Sequence, residues 1–187
     1  MRLIGFIVSI VFAATTPTFA QDVPARLKQA EALIQQNKLT EAMAALDEAS
    51  ALLWERAPLT FRKALWVVSK PQGFGVYSVR EDNVFAQSAP MIAYAEPIGF
   101  GWRRDGELWR TDLAVDIVVK DPAGKEIGRQ DNFGRLQIVS RVRNREFMSD
   151  FTYTLRGLPA GNYQLETRMR DQVSSKTGSF TLPFTVK

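Results

Sequence analysis

Arginine is the residue type whose spacing points most directly to chemistry. Between Arg135 and Arg145, period-two alternation puts Arg135, Gln137, Val139, Arg141, Arg143 and Arg145 on one face and Leu136, Ile138, Ser140 and Val142 on the other. Arg168 and Arg170 repeat the arrangement opposite Leu165 and Met169, and Arg156 follows Tyr153 and Leu155 in the same way. If these strands share a sheet, Arg141, Arg143, Arg145, Arg168 and Arg170 form a cationic face. The planar guanidinium fork suits carboxylate and phosphate groups, so an anionic glycan, a lipid head group or an acidic protein would dock there. The competing reading is a solvated face whose arginines pair with Asp112, Asp116, Asp150 or Glu166 across strands.

Aromatic residues form the second constellation. Gly73-Phe74-Gly75-Val76-Tyr77 and Gly99-Phe100-Gly101-Trp102 repeat a Gly-Phe-Gly unit, with Phe85, Tyr94 and Trp109 nearby in sequence. Glycine lets the backbone bend so that a ring can project, which makes Phe74, Tyr77, Phe100 and Trp102 candidates for stacking on a sugar or filling a partner's pocket. Alternatively, Phe74 and Phe100 plug the open ends of the fold or its seam with the helices.

The chain has no histidine and no cysteine. That excludes Ser-His-Asp and Cys-His catalysis, and it removes the usual zinc and copper ligands. Carboxylates remain: Glu96, Asp112, Asp116 and Asp131 are the candidates for an acid pair. A glycosidase needs two of them flanking a cleft, and no pattern here indicates one. Asp121 and Asp131-Asn132 lack the dense oxygen-ligand spacing of a calcium loop, so no metal or cofactor is expected.

These residues must be positioned by elements whose outlines are readable. Arg2, the apolar run Leu3 to Ala14 and Thr18-Phe19-Ala20 have the order of a secretory signal peptide with a cut near Ala20. The run is too short for a bilayer-spanning helix, and no later stretch is longer, so no membrane span is expected. Removing residues 1–20 takes away one charge and leaves 23 Lys+Arg against 20 Asp+Glu, too even a balance to imply nucleic acid. Without cysteine the exported chain must hold together by burial, and it lacks the acceptor of a bacterial lipid anchor.

Residues 21–58 read as a helical hairpin. Leu27, Ala30, Leu33 and Ile34 mark one face of the first helix, and Leu39, Ala42, Met43, Leu46, Ala49 and Leu53 one face of the second. Asn37-Lys38 makes the turn, Thr40 is placed to cap the next helix, and Pro58 stops it. From residue 59 to 187 the period becomes two. Strands are expected at Arg62 to Ser69, Met91 to Glu96, Thr111 to Lys120, Arg135 to Asn144, Asp150 to Arg156, Asn162 to Asp171 and Ser179 to Val186. About seven antiparallel strands after a helical hairpin give a mainly β fold of the immunoglobulin-like sandwich class.

Two resemblances bear on this outline. Ala42 and Ala49 resemble the small packing positions of a tetratricopeptide second helix, although a solenoid needs about three such units. Gly157-Leu158-Pro159-Ala160-Gly161-Asn162-Tyr163, leading into the last strands, resembles the corner of bacterial immunoglobulin-like or fibronectin-like modules, whose tyrosine makes a corner hydrogen bond. With the signal peptide, the hairpin, Pro97-Ile98-Gly99-Phe100-Gly101-Trp102 and Ser140-Arg141-Val142-Arg143-Asn144-Arg145-Glu146-Phe147, the whole resembles a group of uncharacterised exported proteins of Gram-negative bacteria. That resemblance implies location and no activity.

The expectation is therefore a periplasmic or secreted, non-enzymatic binding or adaptor module of the cell envelope. It would engage another envelope protein through loop aromatics, a sheet edge or the helices. The alternatives are anionic glycan or lipid head-group binding at the arginine face, and an envelope hydrolase using paired carboxylates.

Overall fold

The computed structural model describes residues 23–187, so the signal-peptide reading lies outside the described residues. The chain divides into two compact units between Leu52 and Leu53.

In the first unit, α1 (Val23–Gln35) and the greater part of α2 (Leu39–Arg56) form the hairpin. Asn37 sits at φ 58° in the left-handed region that ends helices. Its N–H donates to the Ile34 carbonyl at 2.9 Å, and the Lys38 N–H to that of Leu33 at 2.9 Å. Arg26 pairs with Glu48 at 3.0 Å, fastening the start of α1 to the second half of α2. Two expectations are corrected here. Lys38, whose carbonyl accepts from the Ala42 N–H at 3.0 Å, holds the cap position, and Thr40 lies inside the first turn. The buried stripe is Val23, Ala30, Ala42, Ala45 and Ala49, while Leu27, Ile34, Leu39, Met43 and Leu46 are exposed.

The second unit is mainly β. A three-stranded antiparallel sheet runs in the order β1 (Thr60–Val67), β3 (Met91–Ile98), β7 (Ser149–Tyr153). The larger sheet centres on β5 (Leu108–Lys120), with β6 (Glu126–Ser140) along one edge. Its other edge takes β8 (Gly161–Asp171) and, at its beginning, the short β4 (Arg103–Asp105). β9 (Thr177–Val186) pairs β8 antiparallel, and β2 (Val84–Phe85) adds to β9 in parallel. Leu113, Val115, Ile117 and Val119 alternate into the core against Leu165, Met169, Phe180, Leu182 and Phe184 of the same sheet and Trp66, Ala93, Ala95, Phe151 and Tyr153 of the smaller one. Two of the buried polar tips find partners between the sheets: Tyr153 Oη meets Thr167 Oγ1 at 2.7 Å, and Trp66 Nε1 donates to the Pro183 carbonyl at 2.8 Å.

All seven expected strands exist, but one is displaced. β6 starts at Glu126 rather than Arg135 and ends at Ser140 rather than Asn144. It ends there because Trp109↔Ser140 is its last pairing with β5, which the β4–β5 hairpin turns back at Gly106-Glu107. It begins early because a bulge over residues 131–133, with Asn132 at φ 53°, lets the strand resume pairing beyond a polar interruption.

At the corner before β8, Tyr163 Oη donates to the Pro159 carbonyl at 2.9 Å. Tyr163→Phe should lower stability by about 1 kcal/mol in urea unfolding, the typical worth of one such bond. No change would show the bond to be idle.

Candidate functional site

The structure separates the arginine candidates into two groups. Arg168 and Arg170 lie on β8, opposite Asp116 and Ala114 of β5, on the outer face of the larger sheet. Arg141, Arg143 and Arg145 lie beyond the end of β6, which corrects their placement on a strand row: with no further β5 residue to pair, the chain leaves the sheet. Arg141 reaches toward Glu107 at 3.8 Å, both groups exposed. Arg143 pairs with Glu55 at 2.5 Å and stands 5.0 Å from the centre of the Trp109 ring.

The outer face itself is a ladder of ion pairs. Arg170 forks onto Asp116 at 2.7 and 3.0 Å and also donates to Asn132 Oδ1 at 3.0 Å. Arg135, which the sequence placed in the same row, forks onto Asp112, with Nε at 2.7 Å. Arg168 holds Glu166 at 2.5 and 3.2 Å, and Lys120 reaches the same carboxylate at 2.5 Å. Between Arg135 and Arg170, small Ala114 and Gly134 leave a shallow polar notch of about 350 Å³, with Asn132 and Gln172 on its rim. The face is zwitterionic, because each fork already holds a carboxylate.

These pairings fix the charge of the acids. The Arg135 guanidinium holds Asp112 below its usual range, and Arg170 does the same to Asp116. Arg168, seconded by Lys120, holds Glu166 down at about 2. A carboxylate whose folded pKa is depressed contributes stability above its unfolded value of about 4 and loses it as pH falls toward the folded one. Tm should therefore fall steeply between about pH 4 and pH 2. Glu166→Gln should flatten that decline, and an identical pH profile for the variant would contradict this assignment.

The aromatic candidates also part company. Phe100 is completely buried, ringed by Trp54 at 5.1 Å, Trp102 at 5.6 Å and Phe147 at 5.6 Å, and its carbonyl accepts from Trp54 Nε1 at 2.7 Å. A projecting Phe100 is thus overturned, for the ring fills its own unit's core. Trp102 is half-buried against the same cluster, and its indole N–H is shielded without a partner. Tyr77 lies on Tyr94, ring centres 4.2 Å apart, with the Lys63 ammonium 5.8 Å from its own ring centre. Phe74 is half-buried beside the Arg62 guanidinium at 5.9 Å.

The acid candidates do not converge. Glu96 is buried beneath the 73–77 loop and accepts from Tyr94 Oη at 2.8 Å, while the Gly75 N–H donates to that same oxygen at 2.9 Å. Burial foremost pushes the Tyr94 hydroxyl up to about 12, keeping it a neutral donor to Glu96. Asp131 pairs with Arg129 at 3.2 Å. Among the described residues, no three His, Cys, Asp or Glu side chains are grouped to hold a metal ion.

What the sequence reading merged, the structure separates: the alanine stripe and the leucine stripe of the hairpin. Leu27, Ile34, Leu39, Met43 and Leu46 are between 43% and 69% exposed, whereas Ala30, Ala42, Ala45 and Ala49 are at most 4%. On α2, Leu39, Met43 and Leu46 follow the i, i+4, i+7 spacing of one helix face. The signal was present in the spacing of Ala42, Ala45 and Ala49, since small residues on one stripe let two helix backbones approach closely.

No family model matches the chain, and no curated protein matches it. Solved structures with some likeness include a superoxide reductase (neelaredoxin) from Ignicoccus hospitalis, at 7% identity, covering 68% of this chain and 82% of that one, TM-score 0.36. A Niemann-Pick type C2 protein from the Japanese carpenter ant shares 8% identity over 70% of this chain and 94% of its own, TM-score 0.39. CopC from Methylosinus trichosporium OB3b shares 14% over 67% and 94%, TM-score 0.30. Likeness at this level carries no argument about activity or ligand. Among the described residues, no helix is long and apolar enough to cross a membrane.

Proposed function

We propose that the protein is an exported, non-enzymatic adaptor of the cell envelope whose helical pair receives an amphipathic helix of another envelope protein. The observation that carries this is the exposed stripe of Leu27, Ile34, Leu39, Met43 and Leu46 above helices packed through alanine. Two helices of this length cannot bury such a stripe by themselves, and in stacked helical repeats the next helix covers it. The recognition this surface offers is apolar, since Glu48 of α2 is already held by Arg26 at 3.0 Å and α1 carries Lys28 beside Glu31. Export rests on the apolar run after Arg2. In this reading the β unit is an immunoglobulin-like sandwich that presents the helices, a view supported by its two sheets and the Tyr163 corner bond. The arginine face is the weaker alternative, since Arg168 and Arg170 already hold Glu166 and Asp116.

The double variant Met43→Glu, Leu46→Glu tests the reading. Both side chains are exposed, so Tm should stay within about 2 °C of the parent. The parent should elute from envelope extracts in a complex larger than the chain alone, and the variant should not. A Tm loss beyond about 5 °C would place these residues in the chain's own core, and an undisturbed complex would remove the helices as its docking surface; either overturns the proposal.

A further inference from the structure

The helical face leaves unexplained a cleft in the β unit, where the chain after β7 diverges from the β5–β6 hairpin. Its volume is about 340 Å³, at the small end of ligand pockets. Ile117 and Val119, part of the core, form its floor; Ile127, Leu155 and Leu158 line its sides. The space exists because β6 places Gly128 opposite Val119. A Cβ built on Gly128 would meet a single atom within 4 Å, the Val119 Cβ at 3.9 Å, so a side chain has room there and none is present. The backbone at Gly128 is not in the left-handed region, so conformation does not require glycine.

The rim supplies a charge. Arg156 lines the cleft and is exposed, and it has no hydrogen-bond or ion-pair partner among the described residues. In that it differs from Arg129, also on the lining, whose guanidinium is held by Asp131 at 3.2 Å and lies 3.9 Å from Glu126. Gln130 and Thr154 add polar groups to the lining, and an apolar floor with one unmatched guanidinium beside it is complementary to a hydrocarbon tail ending in an anion.

We propose that this cleft binds a single-chain anionic amphiphile of the fatty-acid class, its tail on Ile117 and Val119 and its carboxylate on Arg156. The volume suits one short chain and excludes the two chains of a diacyl lipid, so a free amphiphile is the ligand rather than a membrane surface. The site is independent of the helical face, and the failure of either proposal leaves the other standing.

Calorimetric titration of the full mature chain with decanoate, below its micelle concentration, tests this. Decanoate should bind at one site and decanol at least about tenfold more weakly, as a charge-assisted contact is worth that factor. Arg156→Gln should bring decanoate to the level of decanol, and Gly128→Leu should abolish binding of both by filling the cleft. If Gly128→Leu fails to fold, Ile127→Trp, at a position 46% exposed, closes the same mouth and should weaken both ligands at least about tenfold. Absence of decanoate binding, equal affinity for decanol, or full affinity in the filled variants would each overturn the proposal. Binding to phosphatidylglycerol vesicles without binding free decanoate would overturn it as well.

Discussion

Gly99→Ala is expected to destabilise the β unit by more than about 3 kcal/mol, among the largest effects of any single methyl group in the chain. A Cβ there would lie 2.2 Å from the Pro58 carbonyl oxygen, 3.0 Å from its carbon and 3.2 Å from the Ala57 oxygen. All three are backbone atoms, so no rotamer can yield. Gly99 also has φ +79°, which a residue with a side chain adopts at a cost of about 1 kcal/mol even in open space. The surroundings resist retreat: Lys176 Nζ donates to the Gly99 carbonyl at 2.8 Å and to that of Glu55 at 2.7 Å, fixing both segments that the methyl group would push apart. Denaturant unfolding of the purified variant measures the effect; a loss under about 1 kcal/mol would mean the 57–58 backbone moves freely.

Phe100→Ala should cost about 3–5 kcal/mol, the range for emptying a buried ring site. Phe100 is wholly buried and meets Trp54 nearly perpendicular, at 85°, and Phe147 at 74°. Edge-to-face pairs add to the burial term, and neighbours as large as Trp54 and Trp102 cannot collapse into the gap. The same variant separates the two sequence readings of this ring. A binding ring would lose a partner while the melting temperature held; a core ring loses stability first.

Much of the frame was legible because its signals are local. Asn37 announces the left-handed turn by its own backbone tolerance, and β5 sets Leu113, Val115, Ile117 and Val119 at every second position. The Tyr163 corner is carried by consecutive residues. The first half of β6 was hidden, because Gly128, Asp131, Asn132 and Gly134 read as a loop and only the pairing with β5 over a bulge makes them strand. The arginine row failed as a cationic face for a related reason: whether Arg170 is free depends on Asp116, 54 positions away, and neither strand's own pattern records the other. The helices failed differently. Ala42 and Met43 are neighbours in sequence and fell on one inferred face, yet one is buried and the other is 69% exposed, since a stripe shifted by one residue turns about 100° around the helix.

The central claim is that the leucine stripe of the helical pair, and not the arginine face, meets the partner. Photocrosslinking amino acids placed singly at Met43, at Leu46 and, as a comparison, at Gln137 of β6 would test it in intact cells carrying the full chain. The account predicts one shared adduct with a different protein from Met43 and Leu46 and none from Gln137, with the captured peptide an amphipathic helix. Adducts from Gln137 alone, or from Met43 only to a second copy of this chain, would contradict it.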